Sequence, residues 1–147
     1  MTQVQQSVDI AQPLKEVFAF VGDPANDALW GSALVEVEQV TPGPLAVGTR
    51  FRYVVRFAGR QFETVREVTE YDPNHRLANK TISGPIKFEG ARVFEAIEGG
   101  TRVTLTGGGR STGFFGPAEP LVLRAAKRAL HNDLISLKRL LEDQSQA

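Results

Sequence analysis

The C-terminal run of residues 117–142 most constrains how this chain can fold. It begins with Pro117, which suits the first turn of a helix because the N–H group that proline lacks would have no partner there. Apolar residues then recur at steps of three and four, which places them on one face of a single helix: Leu123, Ala126, Leu130, Leu134, Leu137 and Leu141. Such a stripe needs an apolar surface to cover it, and a large sheet would supply one.

Most of the chain before this helix alternates in the manner of β-strands. In residues 48–57, Phe51, Tyr53, Val55 and Phe57 alternate with arginines, which gives one apolar and one wet face. The pattern predicts seven strands joined largely by short turns, at residues 4–10, 34–41, 48–57, 61–71, 77–82, 86–97 and 101–106. Two short helices, residues 13–21 and 24–30, are expected between the first and second strands. The predicted class is α+β: an antiparallel sheet curved around a long C-terminal helix, with a cavity between them.

Composition removes several classes of function. The 17 basic and 17 acidic side chains give a net charge of zero, which argues against nucleic acid or an anionic membrane as the main partner. The chain has no cysteine, which excludes disulfides, thiolate metal sites and cysteine nucleophiles. We see no signal peptide, no apolar run that could span a bilayer and no zinc-type or phosphate-binding motif. We therefore expect a single cytoplasmic domain over residues 1–147, with no metal and no cofactor.

Alternation places two arginines, Arg66 and Arg92, on the inner face of the sheet. If their strands are regular, Arg66 shares a face with Phe62, Thr64, Val68 and Glu70, and Arg92 shares one with Phe88, Gly90 and Phe94. The phenylalanines and Val68 should point inward, which places both arginines on the cavity side. A buried guanidinium needs a partner, because an unpaired buried charge is costly. Glu70, Asp133 or an acidic group on a ligand could serve. A β-bulge that turns either arginine outward, or an internal ion pair, is the alternative.

The residues expected to contact a ligand lie on the inner face of the sheet, on the second short helix and on the long helix: Trp30, Phe51, Tyr53, Val55, Phe62, Arg66, Phe88, Arg92, Phe94, Ala126 and Leu130. The Tyr53 ring is expected in the core, with a hydroxyl that could orient a ligand. Asp27 is interpreted as a solvated helix residue. His75 is expected in an exposed turn. His131 is expected beside the apolar stripe of the long helix, as a boundary or surface side chain, so neither is a clear general base.

Two further segments have open interpretations. The three glycines at residues 107–109 are interpreted as a bend or bulge at the end of the last strand, or else as room for a ligand. Phe114 and Phe115 stand in a glycine-flanked loop, where they could close the pocket mouth, touch a membrane surface, pack against a second subunit or plug the core locally. The charge balance and this loop permit a homodimer.

The order of these elements resembles the helix-grip fold of the START and Bet v 1-like superfamily, and within it the small bacterial polyketide cyclase/dehydrase group. The resemblance covers nearly the whole chain. It rests on Trp30 before a strand and on six short segments: residues 13–21, 23–24, 48–51, 68–73, 100–105 and 137–142. It implies the fold, but the group includes lipid and hormone carriers, aromatase/cyclases and ligand sensors, so it implies no single reaction.

Three functions are compatible with these observations. The first is a carrier or sensor that binds a small, mostly hydrophobic molecule, with an acidic or carbonyl group facing Arg66, Arg92 or Tyr53. The second is a cyclase or dehydratase acting on a polyketide-like or aromatic substrate, in which Tyr53 or a carboxylate moves protons. The third is an interaction protein with a filled core. The lack of a clear inward histidine weighs against the enzyme, so we expect binding.

Overall fold

A computed structural model describes residues 2–57, 59–111 and 116–144. The chain forms β1 (Thr2–Ile10), α1 (Leu14–Val21), a 3₁₀ helix (Pro24–Leu29), β2 (Leu34–Gln39), β3 (Arg50–Phe57), β4 (Arg60–Asp72), β5 (Arg76–Ser83), β6 (Ile86–Ile97), β7 (Gly100–Ser111), a 3₁₀ turn (Gly116–Ala118) and α2 (Glu119–Gln144). The α+β class, the seven strands, the two short helices and the long helix are confirmed. Boundaries shift in places: β2 ends at Gln39, before the predicted residue 41.

The seven strands form one antiparallel sheet in the order β1-β7-β6-β5-β4-β3-β2. Strands β2 to β7 are a meander, in which each strand pairs with the next along the chain. Strand β1 lies on the far side of β7, with Thr2 opposite Gly109 and Ile10 opposite Thr101. The sheet curls into a half-barrel whose inner face receives the helices.

The hydrophobic core consists of two clusters on the inner face. One joins α1, Trp30 and the second half of α2 to β1, β6 and β7, and it includes an edge-to-face contact of Phe18 and Phe94 with ring centroids 4.9 Å apart. The other joins β3, β4 and β5 through Phe51, Tyr53 and Leu77 among others. Full burial of each large apolar side chain contributes about 1.5–3 kcal/mol, so these clusters hold the fold.

Only the second half of α2 packs closely in the core. Leu134, Leu137 and Leu141 are 2%, 0% and 5% exposed, whereas Leu123 is 39% exposed and Ala126 is also exposed. The expectation that the whole apolar stripe would be buried is therefore wrong for the first half, because a cavity lies beneath it. The helix also begins at Glu119, so Pro117 lies in the preceding 3₁₀ turn and not in the first turn of α2.

The three glycines belong to β7 and do not end it. Residues 107–109 pair without a break with β1 on one side and with β6 on the other. The predicted strand end at residue 106 and the predicted bend are wrong, because pairing on both sides outweighs the low strand propensity of glycine. A Cβ atom on Gly107 would lie 2.8 Å from the Phe88 ring, and one on Gly90 would lie 2.5 Å from it. The glycines therefore let this ring lie close to the sheet.

A β-bulge changes the face of the last part of β4. The register with β5 shifts between Val68 and Glu70. Glu70 consequently turns to the outer face, where it pairs with Arg76. Glu70 as a partner of Arg66 or Arg92 is therefore wrong, while Arg66, which precedes the shift, stays on the inner side.

Candidate ligand-binding cavity

A cavity of about 400 Å³ lies between the inner face of the sheet and the first half of α2. Its size falls in the usual range for small-molecule sites. Most of the residues predicted to contact a ligand line it: Trp30, Tyr53, Val55, Phe62, Arg66, Phe88, Arg92, Ala126 and Leu130. The structure brings these side chains together, and contact with a ligand stays a prediction for each.

Phe51 and Phe94 share the inner face but do not line the cavity. Phe51 is 1% exposed within the cluster of β3, β4 and β5, and Phe94 is 3% exposed against Phe18 of α1. Alternation assigns a side chain to a face of a sheet, but not to an open or a covered part of that face. Here α1 and the second half of α2 cover the part that holds Phe94.

A buried ion pair between Asp27 and Arg92 forms part of the cavity wall. The Arg92 guanidinium donates to both carboxylate oxygens of Asp27, at 2.8 Å and 2.5 Å, and to the backbone oxygen of Val21 at 2.8 Å. The Tyr53 hydroxyl donates to Asp27 Oδ2 at 2.9 Å. This network joins the 3₁₀ helix to β3 and β6. It is the internal ion pair that was the alternative interpretation for Arg92.

Asp27 lines the cavity, and sequence reasoning placed it wrongly. Its interpretation as solvated is incorrect, because it is 3% exposed. The 3₁₀ helix, capped by the Asp23 side chain on the N–H of Ala25, folds over the sheet and turns Asp27 inward. The sequence did contain one indication of a buried carboxylate, because an arginine on the inner face needs an acidic partner. Only the tertiary fold could identify which one.

In this network the pKa values of Tyr53 and Arg92 are both raised. Burial raises the pKa of the Tyr53 phenol, and the negative charge of Asp27 raises it further, against the opposing charges of Arg92 and Arg66. Burial alone would lower the pKa of Arg92, but the charge and hydrogen bonds of Asp27 outweigh that effect and the net pKa is raised. Tyr53 is therefore neutral and Arg92 is protonated at physiological pH.

Arg66 is held differently, between two aromatic rings. Its guanidinium carbon lies 4.5 Å from the centroid of the Tyr53 ring and 4.9 Å from that of Phe88. Such cation–π contacts stabilise a cation that has left water. Its buried Nε atom has no hydrogen-bond partner among the described residues. Since Asp27 and Arg92 cancel, Arg66 gives this inner part of the cavity an excess positive charge.

Two other residues that line the same cavity also have a buried polar atom without a hydrogen-bond partner in the described ranges. Trp30 Nε1 and Asn79 Oδ1 have no hydrogen-bond partner within the part of the chain that the structure describes. Sequence reasoning missed Asn79. The sequence could have indicated its position, because Leu77, Asn79 and Thr81 are every second residue of β5. This spacing puts Asn79 on the inner face with Leu77.

Of the other predicted groups, the structure describes the two histidines and Asp133. His75 and His131 are exposed and do not line the cavity. Asp133 lines it and accepts a hydrogen bond from the backbone N–H of Ser32 at 3.1 Å. Phe114 and Phe115 lie outside the described residues.

Two other kinds of feature are absent from the described ranges 2–57, 59–111 and 116–144. No cluster of three or more histidine, aspartate or glutamate side chains there could hold a metal ion. No helix in those ranges combines the length and the apolar character needed to cross a membrane.

Comparison with protein families gives a match over almost the whole chain. A family described as "Polyketide cyclase / dehydrase and lipid transport" matches residues 1–142. An uncharacterized protein of Mycobacterium tuberculosis is 32% identical over 106 residues, which are 71% of this chain and 46% of that protein. A second uncharacterized protein of that species matches over 33% of its length. The chain thus spans less than half the length of these curated relatives.

Solved structures share the fold. A Thermus thermophilus protein superposes with a TM-score of 0.80 at 24% identity, covering 94% of this chain and 95% of that one. The ZhuI aromatase/cyclase from Streptomyces sp. R1128 gives 0.73 at 19% identity, covering 95% of both chains. Ara h 8.0201 gives 0.68 at 17% identity, covering 93% and 95%. At these identities the likeness shows the fold, and the predicted helix-grip architecture is confirmed.

Proposed function

This chain belongs to the polyketide cyclase/dehydrase and lipid transport family, and we propose that it binds one small, mostly hydrophobic molecule as a carrier or sensor. The ligand occupies the cavity beneath the first half of α2. It presents an acidic or carbonyl oxygen to Arg66, while its apolar body lies against the aromatic and aliphatic lining.

The observation that carries this proposal is the state of Arg66. A cation at the wall of an apolar cavity, with a buried N–H that has no partner among the described residues, favours an anionic or carbonyl oxygen beside it. Leaving a buried donor unsatisfied costs about 1–3 kcal/mol, which a ligand oxygen would offset. A mostly apolar site with few placed polar groups is typical of small-molecule pockets.

The same network favours binding over turnover. General acid–base catalysis needs a group whose pKa lies near the working pH. The pKa of Tyr53 is raised by burial, and its hydroxyl donates a hydrogen bond to Asp27. Asp27 in turn accepts both guanidinium N–H groups of Arg92. Because these groups bond to one another, none of them is offered to a substrate as an acid or a base. We therefore propose a binding protein, although the description of the family also names cyclases.

Native and denaturing mass spectrometry of freshly purified protein tests the proposal. We expect an additional mass in the native spectrum that disappears on denaturation. The Arg66→Leu variant should lose it, whereas Arg56→Leu should keep it, because Arg56 is exposed and bonds to Gln61 outside the cavity. Apo spectra, together with no thermal stabilisation by a panel of apolar acids and ketones, would refute binding. Conversion of the released compound by fresh protein would instead establish an enzyme.

A further inference from the structure

We propose that Asn79 makes the cavity selective for ligands that carry a hydroxyl or N–H donor within their apolar frame. This inference rests on the proposed function and specifies its ligand. The ligand then has two polar features: an oxygen that accepts from Arg66 or Trp30, and a donor that bonds to Asn79 Oδ1.

The position of Asn79 is the first step of the argument. It lies in the middle of β5, opposite Val68 of β4 and Gly90 of β6. Both neighbours lack a hydrogen-bonding side chain. Asn79 is 7% exposed and lines the cavity, but its Oδ1 atom has no hydrogen-bond partner among the described residues.

Thr64 shows what a satisfied polar side chain looks like in the same wall. It also lines the cavity and is 3% exposed, but its hydroxyl donates to the backbone oxygen of Ser83 at 2.9 Å. Buried polar groups in folded proteins normally have such a partner, so each exception calls for an explanation. The fold gives the Thr64 hydroxyl a partner, but the described residues supply none for Asn79 Oδ1.

The unpartnered atoms define a complementary ligand. Trp30 Nε1 and Arg66 Nε are donors, and Asn79 Oδ1 is an acceptor. A purely apolar ligand would seal all of them away from water. A site built to bond a hydroxyl rejects the analogue that lacks it, because its own polar group stays unpaired. The cavity therefore fits an apolar molecule that carries both an acceptor oxygen and a separate donor.

Isothermal titration calorimetry with naphthoic acid and with isomers that carry one hydroxyl on the far ring provides the test. We expect at least one hydroxy isomer to bind about tenfold tighter than naphthoic acid. The gain should vanish in Asn79→Leu, which keeps the size of the side chain but removes the amide. It should persist in the matched control Thr64→Val, whose lost hydroxyl was already bonded within the fold.

Urea denaturation of the free proteins separates a ligand-binding role from a structural one. Thr64→Val should lower the midpoint, because it removes a hydrogen bond that the fold makes. Asn79→Leu should leave the midpoint unchanged or raise it, because it removes a buried amide whose Oδ1 atom has no partner among the described residues. A loss in Asn79→Leu that equals or exceeds that of Thr64→Val would overturn the proposal.

The binding outcomes distinguish this inference from the function on which it rests. If naphthoic acid and its hydroxy isomers bind equally, or if the gain survives in Asn79→Leu, the selectivity is refuted and the hydrophobic binding site stands. If neither type of acid binds and the native mass spectrum is also apo, both proposals fail. A hydroxyl-dependent gain that is lost only in Asn79→Leu supports both.

Discussion

Replacement of Asp27 by alanine should be among the most destabilising single changes in this protein. The side chains of Asp27 and Arg92 are 4% and 11% exposed. Without the carboxylate, the guanidinium of Arg92 stays buried with only the backbone oxygen of Val21 among the partners described above. Breaking a buried ion pair from one side costs about 3–5 kcal/mol, since an uncompensated charge remains in the interior.

That energy corresponds to a large shift in thermal stability. For a domain of this size, each kcal/mol lowers the melting temperature by about 2–4 °C, so Asp27→Ala should lower it by about 6–20 °C. Urea denaturation followed by circular dichroism gives the free energy of unfolding directly. Asp23→Ala is the matched control in the same 3₁₀ helix, because its side chain only caps the N–H of Ala25. It should cost about 1 kcal/mol.

A double-mutant cycle isolates the ion pair. Arg92→Met removes the charge that Asp27→Ala would strand, so the double variant should be more stable than the sum of the single losses predicts, by about 2 kcal/mol or more. If Asp27→Ala costs no more than Asp23→Ala, and the cycle is additive, the buried network does not exist in solution as described.

Three further predictions concern stability. Because burial raises the pKa of Tyr53, the free energy of unfolding should fall as pH rises above about 10, where the phenol ionises only in the unfolded chain. Tyr53→Phe should reduce this alkaline loss of stability in urea titrations. An equal loss in both proteins would contradict the prediction. The hydrogen bond from Lys138 lowers the pKa of Glu142, so the ionised carboxylate stabilises the fold above the ordinary pKa of 4.5, and this stabilisation is lost as pH falls. The Glu142→Gln variant should therefore lose less stability on acidification. An acid profile identical to that of the unmodified protein would rule this out. Leu134→Ala should lower the free energy of unfolding by about 2–5 kcal/mol. Leu121 is 66% exposed on the same helix, so Leu121→Ala should change it by no more than about 0.5 kcal/mol. Similar losses for both variants in denaturant would refute the packing of α2.

Periodicity predicted the parts of the fold that depend on local pattern. Alternation in β3 put Tyr53 and Val55 on the inner face, and alternation in β4 and β6 put Arg66 and Arg92 there. The steps of three and four in α2 gave the face that holds Leu134 and Leu137. In each case a run of apolar residues repeated with the period of its element, and burial follows that period.

Features that depend on contacts between distant segments were not predictable in this way. The bulge that turns Glu70 outward is one inserted residue in an otherwise regular strand. Asp27 is buried because the 3₁₀ helix folds over a sheet formed later in the chain. The glycines of β7 stay extended because strands on both sides pair with them. A cytoplasmic location, a homodimer and a single domain over residues 1–147 stay predictions.

The order in which the strands are synthesised differs from the order in which they can pair. Strand β1 is made before the other strands of the sheet, but its partner β7 begins only at residue 100. Ala11 and Gln12 likewise bond to Glu142 and Leu141 in the second half of α2. The meander β2 to β7 closes through neighbouring segments, whereas β1 needs the longest loop closure in the sheet, which slows folding. Strand β1 is therefore expected to be among the last elements of the sheet to dock, and until then the edge of β7 that pairs with it is open to another chain.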